Sequence, residues 1–119
     1  MTETYASIGK TTIAPEVLLS IARLTTLGTS GVSRLGSTPG SVNRLLKHDP
    51  NHGVMIAVEN NTVYVDIYVI LENDVNIREV CRNIQKQIAR AISEMVGMEV
   101  GQINIHVDDI DYGSKRETL

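Results

Sequence analysis

Tyr64, Asp66 and Tyr68 alternate along the stretch YVDIYVILE, and His106 falls in a matching alternation near the C-terminus. A carboxylate, an imidazole and a phenol on one surface make a general acid–base set: Asp66 as base, His106 as its orienter, a tyrosine as acid. Such chemistry needs a pocket that excludes water, and a sheet face without loops over it offers none. The chain also lacks a Gly-x-Ser-x-Gly elbow, a Walker loop and a Rossmann fingerprint. No catalytic residue is assigned, and the chain reads as a non-enzyme without a small-molecule substrate.

The same tyrosines could stack nucleic-acid bases. Four residues apart on a strand, they stand about 13 Å from one another at roughly 3.3 Å per residue, wide for adjacent bases. No Lys or Arg is expected beside them on that face. The net charge of the 119-residue chain is −3, against the basic excess of a dedicated nucleic-acid binder. A third use fits better. Met55, Tyr64, Tyr68 and Ile70, with Asp66 and His106 among them, form a partly apolar face rimmed by polar groups, the composition of an association surface. Tyrosine offers large contact area at small entropic cost.

Arg78, Arg82, Lys86 and Arg90 recur every four residues and make a basic stripe on the solvent side of a helix. An acidic partner, anionic headgroups or nucleic acid could meet it, and a nucleic-acid-binding module using this stripe is the alternative reading. With no apolar residues interleaved, the stripe does not insert into a bilayer. His48 and His52 have the spacing of a zinc half-site, but Pro50 interrupts it and no third ligand is evident beyond a chance approach of Asp49 or His106. Cys81, the only cysteine, lies on an apolar stripe and reads as a small buried hydrophobe. The loop GSTPG has no lysine at phosphate-loop spacing, and the DDID run reads as an exposed acidic tail. No metal and no cofactor are expected.

These residues need elements to carry them. The sequence is 42% hydrophobic and 21% charged with no Phe or Trp, so one domain with an aliphatic core is expected. Residues 4–13 read as a first strand. Pro15 and Glu16 open a helix in which Val17, Leu18, Ile21, Ala22 and Thr25 take the helical spacing, with Gly28 as its stop. A short strand follows at Val32 to Leu35. Residues 36–52, broken by Gly36, Pro39, Gly40 and Pro50, read as a loop with one helical turn at Val42–Leu46.

Gly53 to Glu59 and the Tyr64 strand join through a tight Asn60-Asn61 hairpin. The latter strand sets Val63, Val65, Ile67, Val69 and Leu71 opposite the tyrosines. Asn76 and Glu79 form a capping-box-like start to a second helix. Its stripe runs through Ile77, Val80, Cys81, Ile84, Ile88, Ala91, Ile92 and Met95, and Gly97 ends it. A last strand spans 99–107, with Ile103, Ile105 and Val107 inward. The expected order is β-α-β-loop-β-β-α-β: an α/β (α+β type) two-layer sandwich, a single mixed sheet with two helices on one face. Residues 1–110 would be the domain and 111–119 a polar flexible tail, the polar stretch beginning at DDID.

The phrases VYVDIYVILE, VNI-x-EV and MVGMEVGQINIHVDDI, in that order after GKTTIAPEVLLSIARL, resemble the alkaline-shock protein family, bacterial envelope-stress proteins of Gram-positive and related bacteria. The ending is similar to that family's GLEV…VNVHV. The resemblance covers residues 7–110 or so, and residues 36–52 depart from it. It implies a non-enzymatic cytoplasmic protein of cell-envelope homeostasis that self-assembles and is brought to the inner side of the membrane by a separate anchor protein. The family has no catalytic motif to transfer onto this chain. The implied partners are a second copy of the chain and a membrane-anchored or cytoplasmic protein.

Overall fold

The computed structural model describes residues 8–39 and 53–113. In chain order the elements are α1 (Pro15–Leu27), β1 (Val32–Leu35), β2 (Val54–Glu59), β3 (Thr62–Glu72), α2 (Ile77–Met95) and β4 (Glu99–Asp111). The axis is β3. Alternate residues of a strand face opposite sides, so Val63, Val65, Ile67, Val69 and Leu71 share one face, and all five are fully buried.

Asn60 and Asn61 adopt φ of 51° and 62° and turn β2 back against β3, pairing Glu59 with Thr62. Asparagine tolerates this left-handed backbone, which matches the twist of a two-residue hairpin. Strand β4 runs parallel to β3 along its whole length, so β1 and β2 share the remaining edge. There β2 lies against residues 62–67 and β1 against residues 69–71, both antiparallel. The two are halves of one edge strand. The Gly36 amide donates to the Tyr68 carbonyl at 2.6 Å, and the Tyr68 amide donates to the Gly53 carbonyl at 2.8 Å. The chain thus leaves the sheet at Gly36 and returns at Gly53, opposite a single residue.

Both helices cover the aliphatic face. Leu18, Ile21, Ala22 and Thr26 of α1 and Val80, Ile84, Ile88 and Ile92 of α2 are buried; the aliphatic ones join the five β3 side chains in one core. The Asn76 carboxamide accepts the Glu79 amide at 2.9 Å, satisfying one orphan donor at the start of α2. At its end Gly97, at φ 76°, turns its amide onto the Ile92 and Ser93 carbonyls. The expected two-layer α/β sandwich with one mixed sheet is therefore the observed one. Among the described residues no helix is long and apolar enough to cross a membrane.

Three expectations need correction. Residues 8–13 form no strand; residues 4–7 lie outside the described residues. The KTT run has no apolar face to bury, and Ile8 and Ile13 on either side of it are exposed. The last strand does not stop at Val107: it reaches Asp111 by taking a bulge between Val107 and Asp109. This shifts the alternation so that Ile110 falls inward against Leu71. The helical stripes are also narrower than their spacing suggested. Val17 is 44% and Met95 70% exposed, and Thr26 is buried although its neighbour Thr25 fits the pattern. The Thr26 hydroxyl donates to the Ala22 carbonyl at 2.8 Å, a bond that lets a polar side chain sit in the core. The helical turn expected at Val42–Leu46, with His48, Asp49 and His52, lies outside the described residues.

Candidate functional site

The sheet face away from the helices collects the residues that alternation placed together. Met55 pairs with Asp66 and Ala57 with Tyr64; on the other side Asp66 pairs with Asn104 and Tyr68 with His106. Cross-strand neighbours on one face are the contact unit of a sheet, and here they produce a defined cluster. His106 Nε2 and Asp66 Oδ1 are 2.9 Å apart. A carboxylate accepts and does not donate, so in this contact Nε2 is the donor and Asp66 Oδ1 the acceptor. The Tyr68 ring stacks on the imidazole, centroids 4.4 Å apart and planes within 13°.

That stacking decides what the cluster can do. A hydroxyl in the plane of a parallel ring points along the imidazole, not at either of its nitrogens. The Asp66–His106 pair itself is open to water, with side chains 36% and 43% exposed. The expected orienting contact is present, while the acid and the dry pocket of an acid–base site are not built around it. The arrangement ties three side chains into one stacked, hydrogen-bonded cluster.

Tyr64 stands beside this cluster on the same face, held by a device that alternation alone did not reveal. Its ring lies over Gly101 of β4, where a Cβ would overlap the ring, coming within 2.7 Å of Cδ2 and 3.0 Å of Cζ. A glycine inside a strand marks such a close approach. Ile70 is half-buried and Met55 exposed at the margins.

The C-terminal end of the face carries charge that was not foreseen. Arg34 of β1 pairs across from Ile70, so one cation does lie beside this surface. Its guanidinium donates to Asp111 Oδ2 at 3.0 Å, and the Ser33 hydroxyl donates to the same oxygen at 2.5 Å. The Ser33 hydroxyl first, then the Gly113 amide and the Arg34 charge, hold the Asp111 carboxyl below the usual carboxylate range. Asp108, at the bulge, accepts the Ser37 amide at 3.2 Å. The run read as a free acidic tail instead clasps the β1 end of the sheet.

The basic stripe behaves as its spacing predicts. Arg78, Arg82, Lys86 and Arg90 are all exposed on α2; Arg90 Nε meets Glu94 at 3.4 Å, one turn on. The other three make no ion pair among the described residues. Cys81 is half-buried, and burial pushes its thiol up, away from reactivity. No group of three or more metal-ligating side chains occurs among the described residues.

Residues 3–112 match the model of the alkaline-shock protein 23 family, described by a cell envelope-related function. The uncharacterized protein YqhY of Bacillus subtilis is 28% identical over 114 residues, covering 94% of this chain and 84% of its own. The uncharacterized protein Spy1535 of Streptococcus pyogenes is 33% identical over 111 residues, covering 92% and 84%. A second Bacillus subtilis relative, YloU, is 24% identical over 112 residues, covering 91% and 93%. Among solved structures, a variant of the MamM CTD in its manganese form superimposes with a TM-score of 0.55 at 10% identity. That likeness covers 81% of this chain and 99% of that one. At this identity it speaks for the fold alone.

Proposed function

Because this chain belongs to the alkaline-shock protein family, of cell envelope-related function, we propose that it serves the envelope as an association module rather than as an enzyme. Its open sheet face is the docking surface, for a second copy of the chain and for a membrane-anchored or cytoplasmic partner. It works in the cytoplasm and is brought to the inner side of the membrane by that partner. The observation that carries this reading is the Tyr64–Tyr68–His106 cluster. The Tyr64 ring lies over Gly101 and the Tyr68 ring stacks on the His106 imidazole, so little side-chain freedom is left to lose on contact. Met55 and Ile70 add apolar area around it, and Asp66, Asn104 and Arg34 give a polar rim that sets orientation. The exposed stripe on α2 is a second, electrostatic contact.

Freshly purified protein examined by light scattering across concentration, with its absorbance ratio recorded, tests this. The module reading expects an assembly that grows with concentration and no co-purifying nucleic acid. A concentration-independent monomer carrying nucleic acid would reject it in favour of a nucleic-acid binder using Arg78 to Arg90.

A further inference from the structure

Strand β4 carries an unfinished edge. It pairs with β3 on one side and, among the described residues, with no strand on the other. Which groups stand open follows from the ladder. The Tyr68 amide and carbonyl bond to Gly53 and Gly36, so the alternate residues Val65, Ile67 and Val69 turn theirs toward β4. In a parallel pair such a residue bonds to the two neighbours of the residue opposite, which points its own backbone away. The residues opposite are Ile103, Ile105 and Val107. The Ile103 carbonyl agrees: clear of the β3 ladder, it accepts the Gln85 carboxamide from α2 at 2.9 Å. The same three residues send their side chains inward, where they are only half-buried at the rim of the core. Open backbone and partly uncovered aliphatic side chains thus coincide on one run, Ile103 to Val107, held between two bulges.

We infer that this run is a seam for a second copy of the chain, β4 against β4, antiparallel about a two-fold axis at Ile105. The inference rests on the reading of the chain as a self-associating module and names the strand through which two copies join. A two-fold contact must be self-complementary, and the run INIHV is. Ile105 meets Ile105, Ile103 meets Val107, and Asn104 meets His106. The outward residues then exchange about six backbone hydrogen bonds, two for each hydrogen-bonded pair. The Ile103 carbonyl has a second lone pair beside the one that Gln85 takes. Sliding the strands by two residues sets Val107 on Gly101 or Asp109 on Ile103, so one register is favoured. In that register Asp108 and Asp109 come opposite the uncharged Gln102 and Gly101. Glu99 comes opposite Asp111, whose charge Arg34 already meets. Any extended peptide would satisfy the open amides; the chain's own β4 also closes the aliphatic rim and matches Asn104 to His106. Since Tyr68 stacks on His106 and Asp66 bonds to it, the seam is continuous with the sheet face, and Tyr68→Asp disturbs both.

Amide hydrogen exchange on the isotope-labelled full chain, read by NMR across concentration alongside sedimentation, tests the seam without any substitution. In the dilute monomer the Ile103, Ile105 and Val107 amides should exchange quickly, while those of Asn104 and His106, turned to β3, are already slow. On assembly the first three should slow at least about tenfold, in step with the associated fraction. Two variants extend the test. Ile105→Pro removes an outward N–H and takes no bond from the β3 ladder. Ile105→Lys adds a charge that reaches water from an open edge and not from a paired one. Each should keep its circular dichroism and stay monomeric where the unmodified chain pairs. Fast Ile103, Ile105 and Val107 amides in an assembled sample would overturn the seam and leave self-association standing, as would folded variants that still pair. No assembly at any concentration would overturn the seam and the self-association reading together. Slow amides already in the dilute monomer would also overturn it, because another segment of the chain would then cover the edge.

Discussion

Gly101 offers a way to disturb the sheet face at one point and predict the sign of the result. Its φ lies outside the left-handed range and its Cβ site is filled by the Tyr64 ring, so Gly101→Ala is opposed by the ring and not by the backbone. Forcing an extra methyl into an occupied space costs about 1–3 kcal/mol. Tyr64 is at a surface and can swing away, which puts the expected loss near the lower end, about 1 kcal/mol. With Tyr64→Ala in the background the obstacle is gone. Gly101→Ala should then be neutral or stabilise by up to about 1 kcal/mol, because alanine restricts the unfolded strand more than glycine does. Urea unfolding followed by circular dichroism on the four proteins of this cycle gives the coupling directly. A loss of the same size in both backgrounds would refute the stacked arrangement of Tyr64 on Gly101.

Other substitutions test the frame around the face. Gly53→Ala would hold a side chain at φ 91° with its Cβ 2.9 Å from that of Leu35 and 3.1 Å from the Tyr68 carbonyl. A loss of about 1–3 kcal/mol is expected, and an unchanged melting temperature would show that the edge junction relaxes freely. Asp111 is held below its ordinary range in the fold, so its contribution is complete above the ordinary carboxylate pKa, about 4, and fades as pH falls through the depressed value. The melting difference between the unmodified chain and Asp111→Asn should be constant near neutrality and shrink only in that acid window; a difference that persists below it would remove the Ser33–Arg34 clasp as its cause. The Cys81 thiol, raised by burial, should alkylate slowly with iodoacetamide at mildly alkaline pH and quickly in urea, and equal rates would contradict its packing on α2.

Much of the fold was legible because two periods wrote it. Alternation from Val63 to Leu71 and the spacing from Val80 to Ile92 name the two faces of the core, and Asn60-Asn61, Asn76 and Gly97 mark the ends by local chemistry. The polar partners of the sheet face were legible for the same reason: Asp66, Tyr68 and His106 share a parity, and register did the rest. What escaped were properties of contact between distant segments. At 8–13 a polar Lys10-Thr11-Thr12 run separates Ile8 from Ile13, both exposed, so no apolar face holds the stretch on the sheet. A bulge at Asp108 moves the parity by one, turning an apparent tail into strand. Nothing local tells that Gly101 lies beneath Tyr64, although a glycine within a strand was a signal. The exposure of Val17, Leu24 and Met95 depends on how α1 and α2 cross, which helical spacing does not specify.

The central claim is that the Tyr64–Tyr68–His106 face is where copies of this chain or its partners dock. Sedimentation velocity across concentration on the unmodified chain and on Tyr68→Asp, with circular dichroism confirming the fold of both, tests it most directly. The account predicts that the unmodified chain assembles with concentration and that Tyr68→Asp remains a folded monomer. An assembly state unchanged by Tyr68→Asp would contradict it.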